Sequence, residues 1–465
     1  ARLGGSVLAQ VYGQIGNDSP DVDDPEMLKN AFRAIQKLIS ENLILSGHDI
    51  SDGGLITTLL EMAFSGNCGL KIRMEGPWSP LGRLFSEELG AVIECPGADV
   101  RKALEILDSF HLRSSLIGEA TEEKKIVITC NLKKVLEADM RVLRQCWEET
   151  SYQIERLQMN PQCADEEREN IFDRKGPGYI IPFEPQLTPT HLLEAKDKPE
   201  VAILREEGSN GDREMTSAFY QAGFRPWDIT MTDLIRGRVT LERFRGLVAV
   251  GGFSYADVPE SAKGWAAAFR FNESLKRMFD DFYRRPDTFT LGVCNGCQLF
   301  ALLGWVPWPG IPDPEQPRFV QNLSGRFESS WVTVKILESP AIMFRGMVDS
   351  ILGIWVAHGE GRVHFPDSNL MDEVIRKKLV PAVFVNDEGL ADGRTPKGYP
   401  FNPNGSPFGI TGLCSPDGRH LTVMPHPERA FLKWQWPWMP QDLNDRLQAS
   451  PWIRMFQNAR EWCNR

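Results

Sequence analysis

The stretch that most constrains this chain is a break between two apolar runs. Thr288–Val293 reads as a short buried strand, and Gln298–Leu303 reads as an apolar helix. Between them lies Cys294-Asn295-Gly296-Cys297, with Gly292 and Gly296 two residues to either side of Cys294. A chain that passes this sharply from strand to helix crowds its own backbone, so the flanking positions must lack a Cβ. The turn lifts its central side chain out at the strand's C-terminal end. That is a nucleophile elbow with sulfur in place of a serine hydroxyl. Unpaired N–H groups and the dipole at the following helix N-terminus favour thiolate over thiol. The N–H of Asn295 is placed to help hold a tetrahedral oxyanion.

The surrounding sequence predicts a sheet to carry this turn. From Glu200 onward, strands at Val201–Leu204, Gly246–Val250 and Thr288–Val293 alternate with helices over Asp212–Ala222, about Gly264–Arg284, and Gln298–Leu303. This rhythm specifies an α/β fold, a mostly parallel sheet with helices on both faces. Later strands near Trp331–Ile336, Ile354–Ala357, Ala382–Val385 and Leu421–Met424 suggest a mixed extension. Residues 1 to about 131 mix helices and strands in an α+β pattern. A helix follows the acidic start at Asp24, and the loop Ser46–Gly54 runs into an apolar helix, Leu55–Phe64. Strands are expected at Gly69–Arg73, Gly90–Cys95, near Ser115–Ile117 and at Lys125–Thr129, with a helix over Ala98–Phe110. Residues 132–160 read as one Glu/Arg-rich helix, and the Pro-bearing stretch 161–199 as a linker lying along a surface. The expected division is therefore 1–131, 132–199 and 200–465.

A thiolate nucleophile requires a base. Of the seven His, His426 in Met424-Pro425-His426-Pro427-Glu428-Arg429 is best placed, because it follows a predicted strand of the same sheet. Pro427 biases His426 toward an extended conformation, in which residues i and i+2 project to one side. Glu428 can then reach the imidazole, fix its tautomer and stabilise its cation. Cys294, His426 and Glu428 together meet the logic of nucleophile, base and orienting acid. A lone buried Cys is more often inert packing, and Cys-x-x-Cys also suits a redox pair or half a zinc site. The absence of a second such pair argues against zinc, and the glycines frame Cys294 alone. No metal site is expected.

Composition narrows the function further. The net charge of −11 argues against nucleic acid or an anionic membrane as the main partner. No run reaches the roughly 18 apolar residues a spanning helix needs. Nine Cys, odd in number and thinly spread, point to a reducing compartment, provisionally the cytosol. The first residues contain neither an initiator Met nor an apolar leader, so the chain reads as part of something longer.

Residues 200–465 resemble the class I, triad-type glutaminase domain of the phosphoribosylformylglycinamidine synthase family, in its long single-chain form. The resemblance is carried by Arg205 through Met215, Gly251-Gly252-Phe253-Ser254-Tyr255, Gly292 through Gln298, His358-Gly359-Glu360-Gly361-Arg362, Asn402 through Pro407, and Met424 through Arg429. Residues 1 to about 131 look like the last portion of that family's AIR-synthetase-like region, through Ala1–Ser6, Gly47–Gly54 and Glu61–Phe64. The resemblance implies a flavodoxin-like amidotransferase domain in which Cys294 attacks the side-chain amide of glutamine. Ammonia would pass to an ATP- and Mg²⁺-dependent amidation of formylglycinamide ribonucleotide in purine biosynthesis. Only the end of the synthetase region is present here, so that second site is expected to be incomplete. The glutaminase half needs no cofactor. The resemblance also implies that Gly251 and Gly252 supply the second oxyanion donor and that Gln298 holds the glutamine. The competing readings are a different cysteine hydrolase on the same fold and a catalytically silent scaffold.

Three further features call for a reading. Gly53 and Gly54 open a helix, so Ser51, Asp52, Gly53 and Gly54 are candidate contacts for a nucleotide phosphate, against an ordinary Gly-containing cap. Asp21, Asp23 and Asp24 read as a helix start rather than a Mg²⁺ site. His358 competes with His426 as base, but the family pattern gives it no triad role. After Tyr255 the chain departs from the family pattern at Pro259-Glu260, beside the expected oxyanion donors.

Overall fold

The computed structural model describes residues 1–390 and 398–464. They form two compact units, the first spanning 1–153 and 170–174, the second 154–169 and 175 onward.

In the first unit, α1 (Pro25–Ser40) starts where the acidic run predicts. Asp24 accepts hydrogen bonds from the N–H groups of Glu26 and Met27, with Pro25 at the first helical position. Such a cap contributes about 1 kcal/mol, which accounts for that acid without a metal. The segment Ser46–Asp49, read from sequence as loop, is strand β1. It pairs later in the chain with β3 (Ala91–Glu94), a partner that local pattern does not reveal. Helix α2 (Gly54–Ser65) and a four-stranded sheet enclose the core. The sheet contains β2 (Gly69–Met74), β4 (Gly118–Thr121), β5 (Lys125–Cys130) and β6 (Lys133–Asp139), in the order β4-β2-β5-β6. Ile56, Leu59, Phe64, Ile72, Ile126 and Ile128 fill that core. A second cluster packs Leu38 of α1 against Ala103 and Ile106 of α3 (Val100–Ser109).

The single helix expected over 132–160 is a strand followed by a helix. Lys133–Asp139 pairs antiparallel with β5, and α4 (Met140–Gln158) begins only afterwards. Tertiary pairing overrides the helical propensity of Lys, Leu and Glu there. The expected linker also holds structure: Pro161–Asn170 is α5. Further on, Ile180 exchanges two backbone hydrogen bonds with Ile351, of 2.9 and 2.8 Å. This part of the stretch therefore lies along a strand of the second unit.

The second unit is built on a six-stranded sheet. It comprises β7 (Glu200–Arg205), β8 (Arg225–Thr230), β9 (Gly246–Ala249), β10 (Phe289–Val293), β16 (Gly412–Cys414) and β17 (His420–Val423), in the order β16-β17-β10-β9-β7-β8. All pairings are parallel except β16 with β17. β8 was not foreseen; its Arg225-Pro226-Trp227-Asp228 is polar because it lies at the sheet's edge. The central strands are apolar along their length because both faces are covered. Ile203, Val248 and Leu291 face one cluster, with Phe219 of α6 (Asp212–Gln221). Leu204, Leu247 and Ala249 face the other, with Trp265 of α7 (Lys263–Arg270) and Phe279 of α8 (Glu273–Arg284). Helix α9 (Asn295–Leu302) leaves the C-terminal end of β10 and is buried from Asn295 to Ala301. An antiparallel sheet, β13 (Ile351–His358), β12 (Glu328–Ile336) and β15 (Ala382–Phe384), supplies the mixed extension, and β11 (Arg318–Val320) pairs antiparallel with β14 (Arg362–His364).

Candidate active site

Cys294 sits in the turn from β10 to α9 with φ +53° and ψ −109°. Left-handed φ is unfavourable for a residue with a Cβ and persists only where the surroundings enforce it. The glycines enforce it. A Cβ on Gly292 would lie 2.5 Å from the Gly296 carbonyl oxygen, and one on Gly296 would lie 2.0 Å from that of Ala249. No other residue lets α9 approach β9 and β10 so closely.

β10 pairs in parallel with β17, so both strands end on the same side of the sheet. Three residues past β17, His426 lies at that same end of the sheet. Its backbone N–H donates to the Trp355 carbonyl of β13 at 2.8 Å, which ties the segment to the second sheet. Its Nδ1 lies 2.6 Å from Oε1 of Glu428, and both side chains are fully buried. A carboxylate accepts, so the hydrogen sits on Nδ1 and Nε2 faces the nucleophile. The two charges settle each other. Burial alone would raise the Cys294 pKa, but the influence of the His358 and then the His426 imidazole outweighs it and brings the thiol down to about 6. Burial alone would lower the His426 pKa, but the Glu428 charge and the influence of Cys294 lift it to about 9. These opposed shifts favour the thiolate–imidazolium form of the pair near neutral pH.

The other candidates surround this pair. A Cβ on Gly251 would come within 2.8 Å of His426 Cε1 and 3.3 Å of Cys294 Cβ, so only glycine fits between them. Gly252 has φ +133°, and a Cβ there would meet the backbone of Ser209 and Asn210 at 2.6 Å. Asn295 opens α9, so its N–H has no carbonyl partner within the helix. The Asn295 side chain accepts from the Ser254 N–H at 3.1 Å and donates to Gln298 Oε1 at 2.9 Å. Gln298 Nε2 donates to the Glu360 carbonyl at 2.9 Å. The structure thus brings Cys294, His426, Glu428, Gly251, Asn295 and Gln298 into one buried cluster, with Gly252 next in chain to Gly251.

Two further residues belong to this cluster. His358, the rival base, ends β13 and helps to lower the Cys294 thiol pKa, though His426 alone has a carboxylate behind it. The Glu360 carboxylate accepts from the Ser261 N–H at 2.7 Å and so pins the Pro259-Glu260 loop. Both lie in the quoted His358–Arg362 stretch, but only tertiary structure shows which face of it meets the sulfur. Nothing in the structure explains why Pro259-Glu260 replaces the usual residues. Cys297 is buried beside the nucleophile, and burial holds its thiol well above the ordinary range, the opposite of a redox partner.

The loop before α2 has another arrangement from the one expected. The Gly53 N–H donates to Glu87 Oε1 at 2.8 Å, and the Gly54 N–H to the Ser51 carbonyl at 2.9 Å. Glu87 also accepts the Val7 N–H at 2.8 Å. An internal carboxylate therefore occupies the helix N-terminus where Ser51, Asp52, Gly53 and Gly54 were expected to meet a phosphate. Among the described residues no group of three or more His, Cys, Asp or Glu could hold a metal ion. No described helix is long and apolar enough to cross a membrane.

The family of CobB/CobQ-like glutamine amidotransferase domains matches residues 198–463, and this chain belongs to it. Residues 1–131 match the C-terminal domain of AIR synthase related proteins. Among curated proteins, the chain is 52% identical to "Probable phosphoribosylformylglycinamidine synthase, chloroplastic/mitochondrial" of Arabidopsis thaliana, over 99% of this chain and 33% of that protein. It is 48% identical to the phosphoribosylformylglycinamidine synthase of Dictyostelium discoideum, over 99% of this chain and 36% of that one. The human protein of the same name is 47% identical over 99% and 35%. The chain spans about a third of the length of these relatives.

Proposed function

We propose that this chain is the glutaminase portion of a phosphoribosylformylglycinamidine synthase. The Cys294 thiolate attacks the side-chain amide carbon of glutamine, and the oxyanion is held by the N–H of Asn295 and by N–H groups at Gly251-Gly252. His426 gives its Nε2 proton to the departing nitrogen, so ammonia leaves and a glutamyl thioester remains. A water then attacks the thioester while His426 takes its proton; the C–S bond breaks, and glutamate and the resting pair are restored. Glu428 orients the imidazole and balances its cation in both halves. Gln298 helps to hold the substrate. None of these steps calls for a cofactor.

The observation that carries this reading is the buried Cys294–His426–Glu428 line at the end of a parallel sheet. The names of the relatives support the remainder of the proposal. Ammonia feeds an ATP- and Mg²⁺-dependent amidation of formylglycinamide ribonucleotide, catalysed with synthetase sequence that those relatives have beyond the aligned third. With Glu87 on the Gly53 N–H and no acidic cluster in place, no nucleotide or metal step is assigned to the residues described here. Partners are these small molecules, with neither nucleic acid nor membrane. The compartment is a reducing one, the cytoplasm or, as in the Arabidopsis relative's name, an organelle. The organisation proposed is a synthetase portion over 1–131, a connecting segment over 132–199 and the glutaminase over 200–465.

The test is labelling with a glutamine-analogue diazoketone followed by peptide mass spectrometry. An adduct on Cys294 that glutamine protects against is the expected result. An unlabelled Cys294 in a chain that releases no glutamate would favour the silent scaffold.

A further inference from the structure

The turn from β13 to β14, His358-Gly359-Glu360-Gly361, is gripped from two sides by buried asparagines. Asn322, just past β11, is 3% exposed. Its backbone N–H donates to the Gly359 carbonyl at 2.8 Å, and its Oδ1 accepts the Gly361 N–H at 2.8 Å. Its Nδ2 donates to the His358 carbonyl at 2.7 Å and to the Arg326 carbonyl at 3.1 Å. On the other side, Asn404 has no exposed surface; its Nδ2 donates to the Gly361 carbonyl at 2.8 Å. Its Oδ1 lies 2.6 Å from Nε2 of the His358 ring. Buried amides tied at both ends in this way fix a main-chain path, because each lost bond strands a polar group away from water.

The tip of that turn is Glu360, and its carbonyl accepts Gln298 Nε2 at 2.9 Å. Gln298 is a long side chain with several free torsions, so one anchor would leave its amide pivoting. The second anchor is Asn295 Nδ2, which donates to Gln298 Oε1 at 2.9 Å. A carbonyl oxygen cannot donate, so the Glu360 carbonyl obliges Nε2 to face it and Oε1 to face Asn295. The orientation of the Gln298 amide is therefore set in part by where the turn holds Glu360, and the turn is held by Asn322.

We infer that Asn322 is a positioning residue for glutamine capture: it fixes the His358–Gly361 turn so that the Glu360 carbonyl keeps the Gln298 amide in the orientation that meets the substrate. The inference rests on Gln298 holding glutamine, as proposed above. Asn322 acts through the main chain of the turn, and no proton or bond of the substrate changes there. Slack in the turn costs the substrate its fixed partner while leaving the Cys294–His426–Glu428 line in place.

The experiment measures glutamine hydrolysis and the rate of Cys294 alkylation by iodoacetamide in five chains. They are the wild type, Asn322→Ala, Asn322→Asp, Gln298→Leu, and the double variant of Asn322→Ala with Gln298→Leu. Asn322→Asp keeps the shape and the acceptor for Gly361 but turns an oxygen toward the His358 and Arg326 carbonyls. In both single Asn322 variants KM should rise about tenfold, while kcat stays within about threefold. Cys294 alkylation should stay within about twofold of wild type, since the elbow and its imidazole are untouched. In the Gln298→Leu background, Asn322→Ala should move KM by less than about twofold, because its route to the substrate is already cut. An unchanged KM in both single variants would overturn the inference. So would KM effects that multiply in the double variant, or a loss of alkylation matching the loss of turnover, which would make Asn322 a support of the fold at large. Failure of the underlying reading shows differently: Gln298→Leu alone would leave KM unchanged, or a Cys294→Ala chain would release as much glutamate as the wild type.

Discussion

His426 and Glu428 are separated by one proline, and their side chains meet at 2.6 Å with essentially no solvent exposure. A bare imidazolium in such a place would lose its proton to burial. The adjacent carboxylate reverses that balance and places a base of pKa about 9 against a thiol of pKa about 6. The chemistry proposed for this chain follows from that reversal.

Glu428→Gln keeps the shape and removes the charge. The amide can still accept the Nδ1 hydrogen, but it cannot balance an imidazolium. Glutamine hydrolysis should fall by about 10³-fold or more, with the fold retained. Steady-state kinetics together with circular dichroism check this.

The pH profile of glutamine hydrolysis follows from the same pair. Cys294 is depressed to about 6 and His426 raised to about 9, so the thiolate–imidazolium form dominates between those values. As pH falls through about 6 the thiolate is protonated and kcat/KM should drop. As pH rises through about 9 the imidazolium is lost, and with it the proton for the leaving nitrogen. A bell of that width is expected for the free enzyme.

Two glycine substitutions separate activity from stability. Gly251→Ala places a methyl group 2.8 Å from His426 Cε1, and should cost most of the activity with little change in Tm. Gly296→Ala drives a methyl group against the Ala249 carbonyl at 2.0 Å inside the sheet–helix packing. Overpacking against backbone costs about 1–3 kcal/mol, which thermal denaturation should register together with lost turnover.

Gln298→Leu should weaken substrate capture more than chemistry. It removes the side chain that joins Asn295 Nδ2 to the Glu360 carbonyl, leaving Asn295 Nδ2 only its longer bond to Asp257 Oδ1 at 3.4 Å. A rise in KM with a smaller fall in kcat is expected. An unchanged KM would place the glutamine elsewhere.

What was legible in the sequence were the features with local causes. The elbow could be read because a strand-to-helix turn at Cys294 demands glycine at 292 and 296. The pairing of His426 with Glu428 could be read from their spacing, but the extended path expected between them is in fact a 3-10 turn over Pro427–Arg429, which still brings the carboxylate to the ring. The helix start at Asp24 followed from capping. Features set by distant partners were not legible. Ser46–Asp49 becomes a strand only through Ala91–Glu94, and Lys133–Asp139 only through β5. Glu87 reaches the Gly53 N–H from far along the chain and alters the reading of that loop.

The central claim is that Cys294 rests as a thiolate held by His426. The direct measurement is the rate of Cys294 alkylation by iodoacetamide as a function of pH, with the modified peptide identified by mass spectrometry. The account predicts a titration near pH 6 and a plateau through neutrality, with the low-pH reactivity lost in His426→Gln. A single rise centred near pH 9, unchanged by His426→Gln, would contradict it.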